Sequence, residues 1–192
     1  MNDMPIIIRR ASLSDSAQLS EIYSYYVNNT AITFEDEAPT AEEFKGRMES
    51  VMSFYPYFVA EMNGVIIGYC YAGKFKDRSA YDWSVETTVY VKKGFGGKGA
   101  GRALYAALGE ALKSQGIVNM YACIAVPEKE DEYLDFGSVN FHKKLGFEFT
   151  GKFKNCGSKF GRWYDMVWLG KVIANHVKNP AHPVPYNSVY KK

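Results

Sequence analysis

Glu86 stands between Val85 and Thr87 in a run of apolar and β-branched residues. A carboxyl in such a strand is drawn partly out of water, and burial raises its pKa toward the range in which it can take a proton from an ammonium ion. A strand-end ion pair is the plain alternative. Further along, Gly96-Gly97-Lys98-Gly99-Ala100-Gly101-Arg102 lies between the end of that strand and the start of a helix. Glycines there let the backbone approach a pyrophosphate without Cβ interference, and unpaired helix N-terminal amides attract negative charge. Composition alone fits a merely flexible loop equally well. The stretch lacks the Gly-Lys-Ser/Thr ending of a P-loop. The next strand runs Ala122-Cys123-Ile124-Ala125-Val126, without the acidic residue that a Rossmann dinucleotide site needs. Lys76 and Arg78, just before the Glu86 strand, could hold a carboxylate or another anion, Arg78 by a bidentate contact, or could form a solvated loop.

The elements that must position these residues follow from periodicity. Residues 6–10 read as a short strand, and Ser12-Leu13-Ser14-Asp15 caps a helix whose Leu19, Ile22, Tyr23, Tyr26 and Val27 share one face. Thr40-Ala41-Glu42-Glu43 opens a second helix through about Met52, with residues 28–39 as a loop between the two. Strands at 57–62 and 65–73 are joined by Asn63-Gly64, a strong hairpin signal, and a third runs 83–91. The helix after the glycine-rich turn carries Ala103, Leu104, Ala107, Leu108, Ala111 and Leu112, and ends near Gly116. A strand at 118–126, a solvated acidic loop at 128–135, a helix at 136–145 and strands at 147–153 and 163–169 complete the pattern, with residues 157–161 as the last turn. From residue 175 three prolines and few apolar residues give an extended tail. The reading is therefore an α/β domain over residues 1–174 and a tail over 175–192.

Composition narrows the function classes. At 192 residues and 47% hydrophobic, the chain suits one domain with a sizeable core. A net charge of +2 provides no broad basic footprint for nucleic acid. Cys70, Cys123 and Cys156 match neither a zinc cluster nor a redox pair, so no metal is expected and a reducing cytoplasm is the simpler setting. Residues 1–5 carry no basic segment, and Ile6-Ile7-Ile8 is too short for a leader or a membrane span.

The turn, with Gly99 and Gly101 at its small positions, resembles the pyrophosphate loop of the GNAT acetyltransferases. The opening Ile8-Arg9-Arg10-Ala11 with Asp15, and the later Phe141-His142-Lys143-Lys144-Leu145-Gly146-Phe147, are similar to that superfamily's first and last motifs. Residues 76–91, Lys76-Asp77-Arg78-Ser79-Ala80-Tyr81-Asp82-Trp83-Ser84-Val85-Glu86-Thr87-Thr88-Val89-Tyr90-Val91, resemble the phosphinothricin and methionine-sulfoximine acetyltransferases within it. Thr33-Phe34 and Gly161-Arg162-Trp163-Tyr164-Asp165 add to that likeness.

The resemblance implies a GNAT fold, a mixed sheet of six or seven strands flanked by helices. It also implies an enzyme that moves the acetyl group of acetyl-CoA to the amine of a small amino-acid-like acceptor. Glu86 then becomes the base. His142 occupies the place of the tyrosine that faces the sulfur in many GNAT enzymes, and would protonate the thiolate or relay the amine proton. Gly97, Lys98, Gly99, Ala100, Gly101 and Arg102 would cradle the cofactor phosphates, and Val89 and Val91 would offer main-chain groups to the pantetheine. Asp135 takes the place of an asparagine that helps hold that arm. Gly96 stands where the motif prefers Gln or Arg, which leaves Lys93, Lys98 or Arg102 to supply a phosphate contact. Phe34, Tyr81 and Tyr90 would wall the acceptor pocket, and Lys76 and Arg78 would bind an anionic group on the acceptor. The likeness, with the aromatic-rich region from Phe153 to Trp168, implies a homodimer. The rival readings are acetylation of a protein N-terminus or lysine, and a silent CoA-binding module.

Overall fold

In a computed structural model the described residues are 5–190. Residues 1–4, with most of the opening read above as free of a leader, and the Lys191-Lys192 end lie outside them. Seven strands form one sheet in the order β1-β2-β3-β4-β5-β7-β6. They are β1 (Ile7–Arg10), β2 (Tyr57–Met62), β3 (Val65–Lys74), β4 (Ser84–Val91), β5 (Asn119–Val126), β6 (Glu148–Lys159) and β7 (Arg162–Val172). Every neighbouring pair is antiparallel except β4 and β5. The helices are α1 (Ser16–Asn29), α2 (Ala41–Met52), α3 (Ala100–Gln115), α4 (Gly137–Lys144) and α5 (Tyr186–Val189).

Strand alternation sends side chains to two cores. Tyr57 and Val59 of β2 pack with Leu19, Ile22, Val27, Phe44 and Met48 of α1 and α2. Their neighbours Phe58 and Ala60 pack with Leu104, Leu108 and Leu112 of α3 on the opposite face. The start of α2 is fixed by a reciprocal cap: the Glu43 amide donates to Thr40 Oγ1 at 3.2 Å and the Thr40 amide to Glu43 Oε2 at 2.8 Å. The β2–β3 turn is Asn63-Gly64, both at positive φ.

Three expectations change. β6 runs to Lys159 rather than stopping near Phe153, so the expected turn over 157–161 shrinks to Phe160-Gly161. A register shift between Phe153 and Gly157 absorbs the break that the sequence suggested. Residues 128–135 have no regular structure, but they are not merely solvated. Leu134 is buried, Tyr133 stacks on Phe160 at 4.4 Å, and Arg162 grips Glu132 at 2.7 and 2.8 Å and Asp131 at 2.9 Å. The tail is extended only to Pro185. It then turns into α5, whose Tyr186 is buried in the α3-side core.

Candidate active site

β4 and β5 pair over only Ser84↔Asn119, Val85↔Met120 and Glu86↔Tyr121. Beyond Glu86 they splay, since β4 continues to Val91 along β3 while β5 continues to Val126 along β7. The β4 main-chain groups that point away from β3 therefore face a gap. Two cavities occupy it, one of about 350 Å³ and one of about 1120 Å³, and Ile32, Val89, Tyr90, Tyr105 and Ser138 line both.

The larger cleft is bounded by the glycine-rich turn. Gly97 and Gly99 adopt φ of 76° and 92°, which suits glycine, and Gly99 is the N-cap of α3. That cap has no side chain, so the first amides of a 16-residue helix are left for a ligand. Gly97, Gly99, Ala100, Gly101, Arg102, Asp135 and Val91 line this cleft, and Lys144 and Lys171 add charge. The Tyr26 hydroxyl already donates to the Val91 carbonyl, whereas Val89 lines both cavities. Asp135 Oδ1 accepts from the Gly137 amide at 2.8 Å and shapes the entry to α4. Lys98 is not part of the wall, and its Nζ lies 4.7 Å from the Phe95 ring centre. A cradle of open glycines, free amides and cations fits a pyrophosphate.

The smaller cavity holds Glu86, His142, Phe34 and Tyr90, and also Cys123, Cys156 and Met166, which sequence reasoning did not select. Burial raises the Glu86 pKa, and the charge of Lys76 pulls it partly back. Lys76 lies within electrostatic range, with Nζ over the rings of Phe75 and Trp168, yet neither it nor Arg78 or Tyr81 forms the cavity wall. Arg78 and Tyr81 are exposed on the 3-10 turn before β4. Phe34 is carried by the α1–α2 loop. The buried Lys159 ties that loop down, donating from Nζ to Val27 O at 2.7 Å and Thr33 O at 2.8 Å.

His142 is 4% exposed. Nδ1 lies 2.7 Å from the Ser138 carbonyl, which can only accept, so Nδ1 carries the proton of the neutral ring. Nε2 is 3.0 Å from the Tyr105 hydroxyl. Burial lowers the imidazole pKa, and the Ser138 bond offsets part of that. Tyr105 and Thr87, 3.2 Å apart, complete a buried polar chain absent from the sequence reading. The available signal was a tyrosine on the inner face of α3 and a threonine next to Glu86. Among the described residues no group of three or more His, Cys, Asp or Glu could hold a metal ion.

Residues 8–168 match the acetyltransferase (GNAT) domain family. The chain belongs to the GNAT acetyltransferases. It is 35% identical to the phosphinothricin N-acetyltransferase of Streptomyces viridochromogenes over 94% of this chain and 95% of that one. It is 32% identical to the L-methionine sulfoximine/L-methionine sulfone acetyltransferase of Salmonella typhimurium over 88% and 95%. The structure of a phosphinothricin acetyltransferase from Sinorhizobium meliloti in complex with acetyl-CoA superposes with a TM-score of 0.85 at 31% identity, covering 98% of this chain and all of that one.

Proposed function

We propose that this GNAT enzyme transfers the acetyl group of acetyl-CoA to the primary amine of a small amino-acid-like acceptor by direct attack. The observation that carries the reading is the common wall of the two cavities. A thioester arm lying along β4 from the glycine cradle would end beside Glu86, inside a cavity of about 350 Å³ that suits a small molecule. Glu86 takes the ammonium proton before attack, and His142 belongs to the proton path at the sulfur end. Gly97, Gly99, Ala100, Gly101 and Arg102 hold the pyrophosphate, Val89 and Val91 line the pantetheine path, and Asp135 borders it. Lys98 serves the outer phosphate. Phe34 and Tyr90 enclose the acceptor; Lys76, whose charge acts on Glu86, favours an anionic group on it, and Arg78 and Tyr81 on the turn before β4 are assigned to the same side.

The catalytic unit spans residues 1–174, with 175–192 as an appended segment, and the protein works in the cytoplasm without nucleic-acid or membrane partners. It acts as a homodimer. Support for the dimer is the sheet edge at β6, where Phe149 and Phe153 are 62% and 55% exposed and Trp163 of β7 is 66% exposed. The function is tested by incubating the protein with acetyl-CoA and a panel of amino acids, their analogues, peptides with free N-termini and lysine-containing peptides, reading thiol release. Turnover is expected with small amino-acid analogues. Release with peptides alone would sink the small-acceptor reading.

A further inference from the structure

Resting on the acetyl transfer proposed above, a second group is brought to the reacting atoms. Both ring nitrogens of His142 are engaged by the protein, Nδ1 by the Ser138 carbonyl and Nε2 by the Tyr105 hydroxyl. The ring is also boxed in edge-on by Phe141 and Phe147, with centroids 5.1 and 5.2 Å away. An imidazole so held has no nitrogen left for a sulfur or an amine. Tyr105 does face the ligand space, since it lines both cavities at their common wall.

We infer that Tyr105 carries the proton from the acceptor nitrogen to the departing sulfur, with His142 behind it as the proton store.

The donor count supports this. Thr87 Oγ1 donates to the Tyr121 carbonyl at 3.1 Å, so it offers Tyr105 only a lone pair. The single Tyr105 proton therefore has two acceptors, His142 Nε2 at 3.0 Å and Thr87 Oγ1 at 3.2 Å, and the phenol oxygen keeps a lone pair for the cavity. When the neutral amine attacks, a C–N bond forms and the nitrogen becomes positive. Its proton passes to the Tyr105 oxygen as the Tyr105 proton passes to Nε2. The C–S bond then breaks with its electron pair on sulfur. Tyr105 gives a proton to that sulfur, and the imidazolium returns one to Tyr105. One proton has moved from nitrogen to sulfur, and both side chains end as they began.

Burial favours the neutral imidazole, so the imidazolium is transient and does not trap the proton. Besides His142 of α4, the ionisable groups that act on Tyr105 are Glu86 of β4 and Cys70 and Tyr71 of β3. Burial keeps the thiol and the Tyr71 phenol protonated, which leaves Glu86 as the charge that bears on the pair.

The test is Tyr105→Phe, which removes one oxygen and keeps the ring. With the amine that the wild type turns over fastest, kcat should fall about 10²-fold or more while acetyl-CoA affinity by calorimetry stays at the parent value. The pH-rate limb governed by the imidazole should vanish although His142 is still present. Adding His142→Gln should slow the variant only a few-fold more, because groups acting in series are not additive. A parent rate or a parent pH profile in Tyr105→Phe overturns the inference. Should that variant not fold, ¹⁵N NMR of the wild-type imidazole decides: Nδ1 protonated with Nε2 accepting upholds the arrangement, and a neutral ring protonated at Nε2 overturns it. A wild type that releases no thiol with any amine would overturn the acetyl-transfer reading itself, a different failure.

Discussion

The carboxyl of Glu86 and the imidazole of His142 are moved in opposite directions along the pH scale by the same cause. Burial penalises whichever form is charged, so it raises the acid and lowers the base. For Glu86 the proton-accepting form is the carboxylate, and a raised pKa means that this form is lost at a higher pH than for an ordinary glutamate. Activity should therefore fall as pH drops through that raised value. Glu86→Gln should reduce turnover by about 10²–10⁴-fold and remove that acidic limb, with acetyl-CoA binding unchanged. Steady-state rates from pH 5 to 9 check this, and a variant as fast as the parent at pH 6 would end the assignment of Glu86 as base. At this scale the sequence was informative where a residue type clashed with its neighbours, as a carboxyl does in an apolar strand. Its signal for Tyr105 and Thr87 was weak, because a tyrosine on the inner face of an amphipathic helix and a threonine in a strand look like ordinary structure. Their meaning depends on a register between α3, α4 and β4 that local spacing does not encode.

Most elements could be read directly, because capping boxes, an Asn-Gly turn and two periodicities punctuate the chain. β6 is the instructive miss: glycines and a bulge in its middle look like a turn, whereas pairing with β7 carries the strand on to Lys159. That extension has a consequence for the acceptor cavity. Gly157 lies under the Phe34 ring so closely that a Cβ there would come within 2.2 Å of it. Gly157→Ala must push Phe34 off its seat, and the loop around it is held by Lys159 and by the 2.8 Å contact between Tyr23 Oη and Thr33 Oγ1. The ring rather than the loop should move, which changes the acceptor side and not the cofactor side. We expect the acceptor KM to rise about tenfold or more, roughly 1.4 kcal/mol, with acetyl-CoA affinity at the parent value. Phe34→Leu in the same chain should recover part of the loss by making room. An unchanged acceptor KM in folded Gly157→Ala would show that Phe34 does not bound the acceptor.

At the scale of the whole molecule, the two edges of the chain's architecture behave differently. The β6 edge keeps its apolar side chains in solvent, and the dimer proposed for it predicts light scattering at twice the chain mass, falling to the single mass when Phe153 and Trp163 are changed to Lys. A single-chain mass for the wild type at micromolar concentration would remove the dimer. The tail, by contrast, satisfies its own polar groups against the domain. The Trp83 Nε1–H donates to the Ala181 carbonyl at 2.8 Å, Gln115 and Val184 exchange main-chain and side-chain bonds at 2.8 and 3.0 Å, and the Tyr186 amide donates to the Phe54 carbonyl at 2.8 Å. Tyr186 itself meets Phe58, and the Arg10 guanidinium lies 5.1 Å from its ring centre. Proline content hid this, since a segment with few apolar residues looks unanchored when its attachment rests on main-chain bonds and one buried tyrosine. Tyr186→Ala removes a nearly full aromatic side chain from the core, and large-to-small changes of that kind cost about 3 kcal/mol. Urea titration should show a lower midpoint at an unchanged slope, because the surface exposed on global unfolding is nearly the same. Acetyl-CoA should still raise the melting temperature of the variant, since Tyr186 lies outside the walls of both cavities. A wild-type midpoint in Tyr186→Ala would mean that the tail rests on the domain without stabilising it.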